Sequence, residues 1–252
     1  MRQRDFPDGS MRDFNKVFVV ALPRCATVSM CEALGTFGIR IAHLGKICGE
    51  HVPEHHDSQK LIRIHDQIVA ADFDLDILKD CDGLADYPAC IPETIEALDR
   101  QYPGSLFINV RRDRDPQAWL RSAERQFIGL EMIKAGQGAT PDEREFMQAM
   151  TDFRRMTFGN STFDAPLYRA AYDRHWQQVA RYFAGREDVF LDIEDISVLA
   201  GHGFELLARF LRCHAPSKAF PRSDGHSQAP QRAFMEALAR GEIASQTGNV
   251  PA

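Results

Sequence analysis

The chain has 252 residues, a mass of 28.5 kDa and a formal charge of −6 at pH 7. Apolar residues make up 44% of it and charged residues 26%, which is ordinary for a globular protein and sufficient for one large α/β domain. The acidic balance argues against a nucleic-acid binder, and no run of about 18 apolar residues predicts a membrane span. Six cysteines without a CxxC pair, and an N-terminus without an apolar signal core, favour a cytoplasmic protein with reduced thiols.

Short apolar runs alternate along the chain with segments of helical periodicity. The predicted strands are Lys16 to Leu22, Ile39 to Leu44, Gly83 to Tyr87, Leu106 to Val110 and Val189 to Ile193. The predicted helices cover 30–37, 61–81 and 92–102, a segment starting near Asp115-Pro116, and then 168–183, 203–211 and 229–240. This alternation is typical of βαβ units, so the sequence predicts an α/β fold with a central parallel sheet and helices on both faces.

We expect one domain over residues 14–240, a mobile N-terminal arm over 1–13 and a mobile tail over 241–252. Residues 127–165 are rich in Met and Phe and are interrupted at Gly136 to Pro141. Two interpretations of this segment stay open: two core helices joined by a loop, or a helical cap over an apolar acceptor pocket.

The segment from Ala21 to Ser29 joins the first predicted strand to the first predicted helix. In parallel sheets, ligands bind at the carboxyl ends of the strands, where loop amides and a helix N-terminus attract anions. Arg24 adds a permanent charge, and Thr27 and Ser29 add hydroxyl donors. The segment therefore predicts an anion-binding site, with an ordinary strand-to-helix turn as the alternative.

This loop differs from the triphosphate-binding P-loop. That motif needs GxxxxGK[ST], whereas no Gly or Lys occurs between Phe18 and Leu34, and only 6 of the 30 basic residues in the chain are lysines. Kinase chemistry relies on a divalent ion, whereas a sulfuryl group carries less negative charge than a terminal phosphoryl group and has less need of one. The loop has no obvious partner for a magnesium ion.

The loop resembles the 5′-phosphosulfate loop of sulfotransferases that depend on PAPS (3′-phosphoadenosine-5′-phosphosulfate). The family's loop typically reads P-[KR]-[ST]-G-T-[TS]-[SW], which Pro23, Arg24, Thr27 and Ser29 match. The resemblance implies a P-loop-like three-layer sandwich with a helical cap. It also implies that PAPS binds along the whole segment, which consists of Pro23, Arg24, Cys25, Ala26, Thr27, Val28 and Ser29.

Three residues depart from the family's loop. Cys25 replaces Ser, Ala26 replaces Gly and Val28 replaces a hydroxyl residue. Ala26 adds a methyl group where backbone and phosphate approach closely, and Val28 removes a donor. Cys25, beside a cationic side chain at a helix N-terminus, could have a lowered pKa and act as a nucleophile. The alternative is that Cys25 is simply a small substitute in the loop.

A second segment resembles the family's 3′-phosphate site. Arg114 follows the predicted strand Leu106 to Val110, and Ser122 lies eight residues later in the next helix. One rigid charge and one hydroxyl suit a phosphate. The family's arginine usually follows the strand at once, so Arg112 could take the role instead; a solvated Arg-rich turn is the other interpretation. The likeness runs from Lys16 to Asp224 and is closest to the bacterial-type branch.

Transfer to an alcohol needs a general base near the acceptor oxygen. Asp86, at the end of a predicted central strand, matches the point where the family carries a carboxylate or a histidine. The alternative for Asp86 is a turn-capping role before Pro88. His43, after the second predicted strand, is a second candidate base, and His65 is a weaker one.

A metal site has little support. His51, His55 and His56 have a spacing that could place two imidazoles on one helix face, but Pro53 interrupts that helix. The family resemblance implies no catalytic metal either.

The resemblance implies a PAPS-dependent sulfotransferase with a small-molecule or glycan acceptor. Arg24 would stabilise the leaving oxygen, and Asp86 or His43 would serve the acceptor hydroxyl or amine as base during in-line transfer. Two alternatives remain at this point: a nucleotide or small-molecule kinase, and a degenerate protein that binds a nucleotide without turnover.

Overall fold

The structure is a computed structural model that describes residues 5–50, 56–112, 116–135, 140–223 and 228–248. Strands and helices alternate along these residues, as the sequence predicts. The strands are β1 (Val17–Val19), β2 (Ile41–His43), β3 (Lys46–Ile47), β4 (Gly83–Ala85), β5 (Leu106–Val110) and β6 (Phe190–Ile193).

The helices of the described residues are α1 (Thr27–Thr36), α2 (Ser58–Val69), α3 (Pro92–Gln101), α4 (Pro116–Ala135), α5 (Pro141–Phe158), α6 (Ala165–Tyr182), α7 (Leu199–Leu211) and α8 (Gln228–Ala239). Short 3₁₀ turns occur at Asp76–Lys79 and Ile196–Val198. The single helix predicted over 61–81 is thus wrong in extent. Helix α2 stops at Val69 because Ala71 takes a left-handed conformation, and only a 3₁₀ turn follows.

The six strands form one sheet in the order β3-β2-β4-β1-β5-β6. Every neighbouring pair is parallel except β2 and β3, which form an antiparallel hairpin. The predicted α/β fold with a mainly parallel sheet flanked by helices is confirmed. Strand β3 is not among the predicted strands. Its two residues follow a turn at Leu44 and Gly45, both with positive φ. A side chain at Gly45 would collide with the backbone of Asp57, so this turn requires glycine.

The centre of the sheet is buried on both faces, as parallel strands flanked by helices require. All residues of β1 and most of β5 have no exposed surface. The paired residues of β1 end at Val19, and only the Val20 amide adds a further bond, to the Ile108 carbonyl at 2.8 Å, yet Val20, Ala21 and Leu22 are all 0% exposed. The predicted strand was therefore too long because burial, which sets the apolar pattern, continues beyond the paired residues.

The Met- and Phe-rich segment 127–165 forms the end of α4, helix α5 and the approach to α6. Phe127, Phe153 and Phe158 are buried, and the Phe158 ring stacks on Tyr168 at 4.2 Å. This part follows the interpretation as core helices. The acceptor-covering role of the segment stays a prediction.

Both ends of the described chain pack on the domain. Phe6 is 3% exposed, and the guanidinium of buried Arg12 donates to the Gly38 carbonyl at 2.6 Å. These contacts hold residues of the predicted mobile arm against the domain, and the mobility of the arm stays a prediction. In the predicted mobile tail, Ser245 and Gln246 both donate to the carboxylate of Glu124, which is 2% exposed on α4. Burying that carboxylate requires such donors, so they hold this part of the tail against α4.

Within the described parts of the chain, no helix combines the length and the apolar character that crossing a bilayer requires.

Candidate functional site

The sheet topology gathers the predicted site residues at one edge. Strand β1 lies between β4 and β5, and all three run parallel, so their carboxyl ends meet. From β1 the chain runs to β2 and back to β4 on one side of β1, and it then crosses to β5 on the other side. This change of direction at β1 creates the crevice where α/β sheets bind ligands. The loop containing Arg24 follows β1, Asp86 follows β4, Arg112 follows β5, and His43 ends β2.

The loop after β1 has an unusual backbone. Arg24 has φ 71° and Ala26 has φ 58°, both in the left-handed region, which costs a non-glycine residue roughly 1–2 kcal/mol. Ala26 is the N-cap of α1 and gives no side-chain cap. The first amides of α1, at Thr27, Val28 and Ser29, therefore stand at the open positive end of the helix. This arrangement can bind an anion.

Two side chains from distant segments hold the loop backbone. The indole Nε1 of Trp119, on α4, donates to the Pro23 carbonyl at 2.9 Å. The Arg112 guanidinium donates to the Arg24 carbonyl at 3.0 Å. These bonds support the backbone at the point where it enters its left-handed turn.

The structure joins the two candidate anion sites. Arg24 Nε donates to Ser122 Oγ at 3.1 Å, and Ser122 is 9% exposed. The predicted loop cation and the predicted 3′-phosphate hydroxyl are therefore in direct contact. Arg112 reaches the same loop, whereas Arg114 lies outside the described residues. Arg111 points elsewhere, with its guanidinium 4.0 Å from the Trp176 ring centre.

Asp86, His43 and Thr27 form one buried polar cluster. Thr27 Oγ1 donates to Asp86 Oδ2 at 3.1 Å and lies 3.2 Å from His43 Nε2. The same His43 nitrogen lies 3.4 Å from Asp86 Oδ2. The side chains of His43 and Asp86 are 14% and 8% exposed. The two residues predicted as alternative bases thus occupy one site, and the Thr27 hydroxyl is directed toward them.

Asp86 also serves its own turn. Its Oδ1 accepts a bond from the Tyr87 amide at 2.9 Å, and its carbonyl accepts one from the Cys90 amide at 3.0 Å. Asp86 itself has φ 64°, a left-handed conformation that Asp tolerates better than most residues. The capping role and the site position therefore coexist, because one carboxylate oxygen is used for each.

Ser29 contacts a segment that sequence reasoning left unassigned. The Ser223 amide donates to Ser29 Oγ at 3.1 Å, and the Ser223 hydroxyl donates to Glu32 at 2.6 Å. Phe220 holds this segment in place by packing on Phe204, with the ring centroids 5.2 Å apart. Ser29 Oγ accepts this bond, and a serine hydroxyl can donate a second bond through its own proton.

Cys25 differs from the predicted nucleophile. It is 0% exposed, and its amide donates to the Leu22 carbonyl at 3.1 Å. Burial raises the pKa of its thiol to about 12, so the lowered pKa proposed for a nucleophile is wrong. Its side chain is buried and its amide is bonded within the loop, which fits the alternative of a small substitute residue. A contact of Cys25 with the donor stays a prediction.

The remaining predicted histidines lie apart from this cluster. His65 Nε2 is 3.2 Å from Asp152 on α5, and its ring packs edge-on against Phe153. His56 stacks on Phe146 at 4.3 Å. His51 and His55 lie outside the described residues. Among the residues that are described, no three His, Cys, Asp or Glu side chains are grouped to hold a metal ion.

Comparison with known protein families identifies the domain. A family model described as a sulfotransferase domain matches residues 16–229, a range that includes the loop after β1, Asp86, Ser122 and Ser223. The chain belongs to the sulfotransferase domain family, whose members transfer sulfuryl groups. No curated protein matches the chain.

Proposed function

We propose that this protein transfers the sulfuryl group of PAPS to a hydroxyl or amine of a small-molecule or glycan acceptor. The observation that carries the proposal is the contact of Arg24 with Ser122 beside the open N-terminus of α1. That contact brings the two candidate anion sites together at the carboxyl edge of the sheet. Such a pair of sites suits a nucleotide with phosphates at two positions.

The described residues fit this donor. The first amides of α1 and the Arg24 guanidinium would bind the 5′-phosphosulfate, and the Ser29 hydroxyl would donate to it. Ser122 with Arg112 would bind the 3′-phosphate, and Arg114 is the alternative arginine. The α1 N-cap supports the fit, because Ala26 has no side-chain oxygen that could cap these amides.

Bound PAPS supplies an activated sulfuryl group joined to a phosphate oxygen that leaves during transfer. Arg24 and the loop amides would stabilise the negative charge that develops on that oxygen. These groups are already held in place, so little reorganisation accompanies the reaction.

The Asp86–His43 pair would supply the base. Asp86 Oδ2 and His43 Nε2 lie 3.4 Å apart, and the Thr27 hydroxyl donates to the same carboxylate oxygen and so fixes it with respect to the loop. Asp86 would take the acceptor's proton or orient the acceptor for in-line attack, with His43 as its partner. Thr27 connects the base to the donor loop, since it is the first residue of α1.

The acceptor would approach from the side of α2 and α5. Tyr87, next to Asp86, stacks on Phe153 of α5 at 5.7 Å, and His65 of α2 contacts the same ring. Aromatic and methionine side chains on this side suit an apolar acceptor. We expect the protein to act in the cytoplasm, and its six free cysteines support a reducing compartment.

One observation favours a second candidate, a protein that binds the nucleotide without turnover. Ala26 adds a methyl group at the N-cap where the family loop has glycine, and the Thr27 hydroxyl is already bonded to Asp86. Either feature could weaken donor binding in the reactive geometry.

A transfer assay separates the two candidates. The protein would be incubated with ³⁵S-labelled PAPS and a panel of phenols, alcohols, amines and oligosaccharides. Labelled product that disappears in Asp86→Asn, but persists in the surface variant Arg169→Ala, supports the transferase. Binding of PAPS without product across the panel supports the non-catalytic protein.

A further inference from the structure

The carbonyl oxygens of the loop are almost all engaged by the protein. Those of Leu22, Pro23, Arg24 and Ala26 accept bonds from the Cys25 amide, Trp119 Nε1, the Arg112 guanidinium and the Met30 amide. A carbonyl directed at a bound anion would repel it. Because a peptide group is planar, fixing a carbonyl also fixes the following amide. Of the two donors that are side chains, only Trp119 is fully buried.

Helix α4 holds one dipeptide of the loop at two points. Trp119 donates to the Pro23 carbonyl, and Ser122 accepts from the Arg24 side chain. Trp119 and Ser122 are three residues apart and therefore lie on the same helix face. One contact fixes the peptide plane between Pro23 and Arg24, and the other fixes the guanidinium.

We propose that Trp119 is the positioning residue of the donor loop. Its indole N–H holds the Pro23–Arg24 peptide so that Arg24 keeps the left-handed backbone that directs its side chain to Ser122. The effect on the loop is independent of the ligand, whereas the effect on nucleotide affinity rests on the proposed function.

The chain contains its own control. It has two tryptophans, and the second, Trp176 on α6, is also buried. Both rings flank Tyr172, with centroids at 4.7 Å for Trp119 and 6.1 Å for Trp176. Trp176 Nε1 faces the Tyr172 side chain and makes no hydrogen bond to the described residues of the loop. Replacing either ring with Phe changes the same aromatic cluster, but only Trp119→Phe removes a bond to the loop.

Cys25 reports on the loop without any ligand. The test measures alkylation of each cysteine by mass spectrometry in the wild type, Trp119→Phe and Trp176→Phe, with the buried Cys81 and Cys90 as references. Loss of one hydrogen bond to the buried Pro23 carbonyl should speed Cys25 labelling about fivefold or more, through local opening. The labelling rates of Cys81 and Cys90 should be unchanged. Trp176→Phe should not speed the labelling of Cys25 relative to these two cysteines.

Calorimetry with 3′,5′-ADP, the spent form of the donor, extends the test to function. Trp119→Phe should weaken binding by a similar factor, and Trp176→Phe should not. Selective Cys25 labelling with a wild type that does not bind 3′,5′-ADP would support the loop role and refute the proposed function. Equal labelling of all three cysteines, unchanged Cys25 labelling, or unchanged affinity in Trp119→Phe would overturn the positioning role.

If Trp119→Phe does not fold, the wild type still gives a test. Its two indole N–H signals can be assigned in a ¹H–¹⁵N spectrum with Trp176→Phe. Slow hydrogen exchange of the Trp119 indole and a shift of its signal on adding 3′,5′-ADP are expected. Exchange as fast as that of the Trp176 indole would overturn the proposal.

Discussion

The two halves of the candidate site are built in different ways. The donor half, comprising residues 23–29 with Trp119 and Ser122, depends on backbone conformation that side chains from α4 hold in place. The base half, comprising Asp86 and His43, depends on side-chain hydrogen bonds in a nearly buried cluster. Thr27 belongs to both. This difference implies that changes in backbone geometry abolish the function of the donor half. In the base half, a substitution can remove the chemistry and leave the structure intact.

The largest effect should follow from Arg24→Ala. It removes both the charge at the donor loop and the contact with Ser122. We expect transfer to fall by about 10²- to 10³-fold or more, because electrostatic stabilisation of the leaving oxygen is lost. Steady-state rates with labelled PAPS measure it, with Arg169→Ala as the surface control. Unchanged turnover would remove the loop from the mechanism.

Asp86→Asn should separate the two halves. It keeps the hydrogen bond from the Tyr87 amide but removes the base, so kcat should fall by about 10²- to 10⁴-fold. Affinity for 3′,5′-ADP should stay near that of the wild type. His43→Gln should lower kcat less if Asp86 takes the proton, and more if His43 does. Parallel losses of affinity and rate in Asp86→Asn would make Asp86 a structural residue.

The support beneath the donor half should be acid-sensitive. His175 of α6 is buried near Val20, and burial lowers its pKa to about 4 from 6.5. Between these values the unfolded chain binds a proton that the folded protein does not, so stability falls as pH falls from 6.5 to 4. The loss approaches about 3 kcal/mol at pH 4, and at pH 7 this group contributes nothing.

Urea unfolding at a series of pH values measures this effect. Between pH 6.5 and 4, the free energy of unfolding should change less with pH in His175→Phe than in the wild type. If the free energy of unfolding changes equally with pH in the two proteins, His175 titrates normally in the folded state.

The smallest effect should come from Ala26→Gly. Glycine adopts the left-handed N-cap without strain, so the free energy of unfolding should rise by up to about 1 kcal/mol. Ala33→Gly, in the interior of α1, should have the opposite sign and cost about 1 kcal/mol or more. Urea denaturation compares the two. Destabilisation by both variants would contradict the strained loop backbone.

The fold was largely predictable because burial sets the sequence pattern. Strand β5 was predicted with its observed bounds, since five buried residues follow the Pro103-Gly104 turn and two arginines end the run. Strand β3 escaped prediction, because two residues give no period and only pairing with β2 defines them. Likewise, the Phe6 and Glu124 contacts depend on packing between distant segments, which composition does not encode.

The sequence names the candidate site residues one by one but does not give their arrangement. Asp86 and His43 were competing candidates because the sequence does not give the order β2-β4-β1 that places them side by side. Thr27 was expected to face the donor, and its bond to Asp86 follows from the same strand order. Trp119 has the helical spacing of a core residue, and its bond to a carbonyl 96 residues away leaves no local signal.

Titration of the wild type with 3′,5′-ADP by calorimetry, without metal, tests the central claim most directly. ATP with magnesium would be titrated in parallel. We expect binding of 3′,5′-ADP that needs no divalent ion and exceeds that of ATP. Binding of ATP only with magnesium would indicate a kinase-like site. Binding of neither nucleotide would contradict the proposed donor and leave the sulfotransferase domain as a description of the fold alone.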